Sequence, residues 1–246
     1  EKAGILRPGT PLVTGITERL FQSTVAPLCT RLDVPTSRLG VDFDVEYRVE
    51  GDAVARFVDA EYSLARLALC GRVQHQNAAL AIAAVRQIGI GQRETIEAGL
   101  AAVRWPGRFE WLPGHPRPVL VDVAHNPDGA RALANFLDES APSRWHAVFA
   151  VQQGKKWESM LELVAPRCAE LVFCPLPHPG GLDPLAAHDW ARRAGHASSV
   201  ADSASAAYNR ARLGAGSAAD ASILIFGSHY LVGPLRHALT SEVASR

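Results

Sequence analysis

The sequence predicts an α/β fold whose second half forms a Rossmann-like, mostly parallel sheet covered by helices. Four short apolar runs have strand character, at 119–123, 147–151, 171–174 and 223–226. Segments with helical spacing of apolar residues separate or follow these runs, at 128–139, 157–165, 185–194, 204–213 and 230–239. Alternation of strands and helices favours parallel strands, because a parallel connection has to cross the face of the sheet.

The first hundred residues predict a different mixture of elements. A strand at 11–14 and a helix at 21–32 precede three strand-like runs at 41–47, 53–58 and 63–69, which could pair antiparallel, and helices follow at 76–88 and 93–103. Four prolines and two glycines then cluster between Trp105 and Pro118. Such a cluster is typical of a connection between domains, so we expect domains at 1–105 and 106–246.

Composition excludes several classes of protein. The 246 residues are 48% hydrophobic with a net charge of zero, which argues against disorder and against long-range attraction to nucleic acid or anionic lipid. The longest apolar run, Ala78 to Val85, is far shorter than the roughly 20 residues of a membrane-spanning helix. Four scattered cysteines without a CxxC pair favour reduced thiols. We therefore expect a cytoplasmic protein without a nucleic-acid or membrane partner.

The segment from Val121 to Gly129 contains the densest group of candidate functional residues. Asp122 closes a predicted strand, and Asn126 and Pro127 suit the N-cap and the first position of the next helix. Because ligands of open α/β sheets bind at the carboxyl ends of strands, Asp122 and His125 would face a bound nucleotide. The alternative is that Asp122 only caps the turn and that His125 is a surface residue.

Four further residues are candidates for ligand binding or catalysis because of their chemical type. Arg108, in the connection between domains, could bind phosphate or form an interdomain ion pair. Asn77 opens a helix and can both donate to and accept from an adenine edge, or can simply satisfy free backbone amides. Ser228 follows Gly227 at a strand-to-helix turn and suits an N-cap. Lys2 is one of only three lysines, and a lysine amine, unlike arginine, can form a carbamate.

Six segments, taken in order, resemble the folylpolyglutamate synthase/dihydrofolate synthase family of the Mur ligase superfamily. They are Glu1–Ile5, Pro8–Pro11, His75–Ala79, Pro106–Phe109, Asp122–Pro127 and Phe226–Ser228. The resemblance implies that residues 1–105 are the C-terminal portion of a Mur-ligase-type central ATPase domain, and that residues 106–246 are the glutamate ligase domain. No G-x-x-x-x-G-K-[ST] occurs in the sequence, so the phosphate loop of that family would lie upstream and the 246 residues alone should be inactive.

The resemblance further implies an ATP-dependent, ADP-forming ligase that adds L-glutamate to a dihydropteroate or folate carboxylate through an acyl phosphate, with Mg²⁺ as cofactor. By position, Asn77 would contact adenine and Asp122 the ribose. Arg108 would contact the phosphates during catalysis, and His125 would lie beside the acyl phosphate or the incoming glutamate. Lys2, as a carbamate, would help to hold magnesium.

Two loops differ from the family pattern. Gly154-Lys155-Lys156 stands where the family often has Asp-Lys-Asp, so only Lys155 matches, and with Ser228 it is expected to bind substrate. His178–Gly181 occupies a loop in which the family tends to have an arginine. Because of these differences, the sequence does not decide whether the protein makes dihydrofolate, extends polyglutamate, or does both. The alternatives are a cell-wall or cyanophycin-type ligase of the same superfamily and a non-catalytic module, and we expect a monomer at full length.

Overall fold

The computed structural model describes residues 2–48, 52–140, 144–216, 218 and 220–244. The chain divides into two compact units, Glu1–Arg104 and Trp105–Arg246. No helix in the described part of the chain is long and apolar enough to cross a membrane.

The first unit begins with a 3-10 helix, Lys2–Ile5, and contains a small parallel sheet. Its strands β1 (Leu12–Thr14) and β2 (Thr36–Arg38) pair in parallel. Between them the chain forms α1 (Glu18–Leu20), a π-helical segment (Phe21–Val25) and α2 (Ala26–Leu32). The expected helix at 21–32 therefore begins with five residues of π-helix, and helical structure already starts at Glu18.

A three-stranded antiparallel sheet packs on helices in the rest of this unit. It consists of β3 (Phe43–Tyr47), β4 (Ala53–Phe57) and β5 (Glu61–Ser63), and it is followed by α3 (Arg72–Gln87) and α4 (Arg93–Ala102). The expected strand at 63–69 is wrong, because the chain leaves the sheet at Leu64, whose carbonyl accepts the Leu67 N–H in a turn. Helix α3 starts earlier than expected, directly after Gly71, which has a positive φ of 91°.

The second unit contains a six-stranded sheet in the order β10-β9-β8-β11-β7-β6. The strands are β6 (Glu110–Leu112), β7 (Val119–Asp122), β8 (Arg144–Phe149), β9 (Cys168–Phe173), β10 (Ser198–Val200) and β11 (Ala221–Phe226). In this sheet β6 and β7 pair antiparallel, and the other four pairs of neighbouring strands are parallel. The expected α/β fold with a mostly parallel sheet is confirmed.

Five helices connect and cover these strands. They are α5 (Pro127–Glu139), α6 (Trp157–Val164), α7 (Pro184–Arg193), α8 (Ala204–Ala215) and α9 (His229–Ala244), and a 3-10 turn (Ala165–Arg167) follows α6. The central strands are apolar on both faces, and every residue of β11 is buried. Burial on both faces explains why these strands appear in the sequence as continuous apolar runs instead of alternating ones.

Candidate active site

Three adjacent strands end at the same level of the sheet. In the register of β11 with its two neighbours, Phe226 lies opposite Asp122 of β7 and opposite Phe149 of β8. The turns that follow β7 and β11 carry His125, Ser228 and the first residue of α9. The turn after β7 and the turn after β11, both of which contain predicted site residues, therefore lie next to each other at the carboxyl ends of these strands.

Asp122 is held by the backbone around it. It is only 3% exposed, and its Oδ1 accepts the Ala124 N–H at 2.8 Å while its Oδ2 accepts the Phe109 N–H at 3.1 Å. Burial raises the pKa of Asp122 to about 6, although these two N–H groups and the positive charges of Arg108 and His125 act in the opposite direction. Asp122 thus caps the turn, which was one of the two roles expected for it. Its contact with the ribose stays a prediction.

The turn that carries Arg108 has an unusual backbone. Gly107 has a φ of 76°, and Phe109 has a φ of 43°, which few non-glycine residues adopt. The Phe109 ring is buried and stacks on Phe136 at 4.6 Å, so packing compensates for this conformation. The Gly107 carbonyl accepts the Val123 N–H at 2.9 Å, which ties the turn to the end of β7.

The backbone of Arg108 is held by hydrogen bonds of its neighbours, whereas its side chain is not held by a hydrogen bond within the described residues. The residue is half-buried, and within the described residues its guanidinium makes no hydrogen bond or ion pair. The flanking residues Gly107 and Phe109 are both hydrogen-bonded to side chains from the sheet. A guanidinium with a fixed base and unoccupied donors is suited to binding a phosphate or a carboxylate.

Two histidines lie beside this arginine. The rings of His125 and His229 are 5.6 Å apart, and Nδ1 of His125 lies 3.0 Å from the Val123 carbonyl oxygen. Burial lowers the pKa of His229, and the positive charges of His125 and Arg108 lower it further. His229 therefore lies close enough to two groups that can be cationic for their charge to lower its pKa. His229 is a residue of this group that the sequence pattern does not indicate, although it directly follows Ser228.

Gly227 and Ser228 shape the turn between β11 and α9. Gly227 has a φ of 118°, and a Cβ at this position would lie 2.5 Å from the Ala150 carbonyl oxygen, so a side chain does not fit. Ser228 is buried, and its Oγ accepts the Tyr230 N–H at 3.2 Å. The structure thus shows the capping role of Ser228, and its predicted contact with substrate is not tested.

The two loops that differ from the family pattern lie side by side. The Gln153 N–H donates to the Gly180 carbonyl, and the His178 ring stacks on Tyr230 of α9 with 3.7 Å between centroids. The loop after β9 therefore reaches the start of α9. Nζ of Lys155, in the neighbouring loop, makes no hydrogen bond or ion pair within the described residues, and its proposed contact with substrate stays a prediction.

The remaining predicted residues belong to the first unit. Asn77 is exposed on α3, and its amide nitrogen donates to Oε1 of Gln74 at 3.1 Å. The backbone of Lys2 is part of the first 3-10 helix, but its side chain lies outside the described residues. Among the residues that the structure describes, no group of three or more His, Cys, Asp or Glu side chains could hold a metal ion.

Comparisons with known proteins agree with this architecture. The Mur ligase glutamate ligase domain matches residues 107–229. A Haloferax volcanii protein named as a probable bifunctional folylpolyglutamate synthase/dihydropteroate synthase is 32% identical over 253 residues, covering 100% of this chain and 30% of its own length. The Bacillus subtilis dihydrofolate synthase/folylpolyglutamate synthase is 33% identical over 172 residues, covering 66% of this chain and 40% of that protein.

A solved structure shows the same fold. Mycobacterium tuberculosis folylpolyglutamate synthase complexed with ADP superimposes with a TM-score of 0.87 at 28% identity, covering 97% of this chain and 57% of that one. The chain therefore spans less than two thirds of the length of each of these relatives.

Proposed function

The chain belongs to the Mur ligase family, in its folylpolyglutamate synthase/dihydrofolate synthase branch, and on that premise we propose that it acts in the ATP-dependent addition of L-glutamate. The acceptor is the carboxylate of a dihydropteroate or a folate. Transfer of the γ-phosphate to this carboxylate forms an acyl phosphate and releases ADP. The glutamate amine then attacks the acyl carbon, phosphate leaves, and the attacking nitrogen loses its proton to yield the amide.

One observation supports this proposal most directly. Arg108, His125 and His229 lie together at the carboxyl ends of β7 and β11, and the two carboxylates that contact the Arg108 turn, Asp122 and Glu110, both accept backbone N–H groups there. The three side chains of Arg108, His125 and His229 can stabilise the negative charge that shifts during phosphoryl and acyl transfer. Arg108 is suited to the phosphates, and His125 to the acyl phosphate or the incoming glutamate.

We extend the assignment to residues whose contacts with ligands are untested. Asn77 would contact adenine, Asp122 would use its remaining lone pairs on the ribose, and Ser228 and Lys155 would bind substrate. Mg²⁺, when bound, would neutralise phosphate charge, and Lys2 as a carbamate would provide hard oxygen ligands for it. We also propose a cytoplasmic monomer at full length.

The proposal is tested by measuring ADP release and glutamylated product with the protein as its gene encodes it. Dihydropteroate, tetrahydrofolate and a nucleotide-linked muramyl acceptor are compared in the presence of L-glutamate, ATP and Mg²⁺. The proposal is supported if the protein turns over a pterin acceptor and Arg108→Ala lowers this turnover about 10²-fold or more. The control is Arg193→Ala, at an exposed site on α7, which should leave turnover unchanged.

The other outcomes separate the alternatives. Turnover only with the muramyl acceptor would identify a cell-wall ligase, and absence of turnover with every acceptor would favour a non-catalytic module. The 246 residues alone should not ligate glutamate, because the sequence has no phosphate-binding loop motif.

A further inference from the structure

The turn that carries Arg108 is anchored on both sides of that residue. The Gly107 N–H donates to Oε2 of Glu110 at 2.8 Å, and the Phe109 N–H donates to Oδ2 of Asp122 at 3.1 Å. Asp122 belongs to the end of β7, and Glu110 is the first residue of β6. The position of the Arg108 backbone therefore depends on where these two carboxylates are held.

Glu110 is in turn held by an arginine from α9. Nε of Arg236 donates to Oε2 of Glu110 and Nη2 donates to Oε1, both at 2.7 Å, so the two groups make a parallel, two-bond contact. The side chains are 30% and 25% exposed. Burial alone would raise the pKa of Glu110, but the Arg236 guanidinium and the Gly107 N–H outweigh it and lower that pKa below its ordinary value. The pair is therefore charged at neutral pH.

Helix α9 carries both this anchor and a residue of the candidate site. Arg236 follows His229 by seven residues, which in a regular helix corresponds to two turns less about 20° and to about 10 Å along the axis. His229 stands at the start of the helix beside His125. The Arg236–Glu110 contact consequently links the helix that begins with His229 to the turn that carries Arg108.

We propose that Arg236 is a positioning residue, which through Glu110 sets the distance between Arg108 and His229 in the phosphate site. The inference rests on the proposed function of that site. Ion pairs that remain partly in contact with water contribute little to global stability. Removing this one should therefore affect the geometry of the Arg108 turn more than the free energy of unfolding.

The first test needs no enzymatic activity. Hydrogen exchange is measured at the amides of Gly107 and Phe109 in the full-length protein and its Arg236→Gln variant. We expect at least tenfold faster exchange at Gly107, because Glu110 loses the group that orients it. Arg167→Gln is the matched control, since Arg167 makes the same two-bond contact with Asp138 elsewhere in the unit. Unchanged exchange in the Arg236 variant would overturn the proposal.

The second test asks whether Arg236 acts through Arg108. Arg236→Gln should lower kcat at least tenfold with a smaller change in KM for ATP, Arg236→Lys should restore part of this loss, and Arg167→Gln should leave kcat unchanged. In an Arg108→Ala background, Arg236→Gln should lower kcat no further, whereas equal losses in both backgrounds would show a merely structural role. If the unsubstituted protein ligates no glutamate, the proposed function fails, and the exchange result then decides this proposal by itself.

Discussion

Asp122 should make the stability of the second unit decrease as the pH rises from 4 to 7. Its pKa is raised by burial from an ordinary value of 3.8 to about 6 in the folded protein. Between these two values the folded state holds a proton that the unfolded chain has lost. Because the folded state binds more protons in this interval, raising the pH removes stability.

The size of the effect follows from the two pKa values. Each unit of difference between the two pKa values corresponds to about 1.36 kcal/mol, so the full effect on the free energy of unfolding is about 3 kcal/mol. About 2 kcal/mol of this loss occurs between pH 4 and pH 7. Asp122→Asn removes the titration and adds only a constant cost, because an amide can accept one of the two N–H groups but not both. The free energy of unfolding of wild type minus that of the variant should therefore fall by about 2 kcal/mol over this range.

Urea unfolding followed by tryptophan fluorescence measures this difference. All five tryptophans lie between Trp105 and Trp190, so the signal reports the second unit. Asp138→Asn provides a control of opposite sign. Arg167 lowers the pKa of Asp138, so the stability that this exposed carboxylate contributes is present at neutral pH and is lost on acidification. A difference for Asp122→Asn that is constant with pH, or that increases, would refute the reasoning.

Three further predictions concern Gly227, Lys2 and Asp122. Gly227→Ala should destabilise the second unit by roughly 2–3 kcal/mol in urea unfolding, because of its positive φ and the close Ala150 carbonyl, whereas Gly154→Ala, which meets open space, should change little. Lys2→Arg should abolish turnover in the full-length enzyme without unfolding it, and Lys2→Ala should regain activity with a small added carboxylate; wild-type rates in the arginine variant would exclude a carbamate. Asp122→Ala should raise the KM for ATP about two- to tenfold, with a smaller effect on kcat. An unchanged KM would leave Asp122 only its role in capping the turn.

Local signals made the β7–α5 segment predictable. Asn126 accepts the Gly129 N–H with its side chain, Pro127 opens the helix, and the apolar run ends at Asp122, as expected from short-range chemistry. The helices of the second unit begin and end within a few residues of their expected positions for the same reason. Propensities and caps act over three or four residues, and a single sequence displays them directly.

Features that depend on distant pairing were missed. Strands β6 and β10 have three residues each, and β6 lies in a proline-rich segment, so neither produces a recognisable pattern. The strand order that places β11 beside β7 brings His229 to His125, and nothing local in the sequence reveals it. The contact between Glu110 and Arg236 joins residues 126 positions apart.

The central position of β11 has a consequence for how the second unit is made. β11 pairs with β7 on one side and with β8 on the other, yet it is the last of the six strands of this sheet in chain order. Until Ala221–Phe226 has been synthesised, the hairpin of β6 and β7 and the group of β8, β9 and β10 have no strand to join them. Such non-local closure is slow relative to the formation of helices and hairpins. The unit should therefore fold only after β11 has been synthesised, and nascent chains that end before Ala221 should stay sensitive to protease however long they are held.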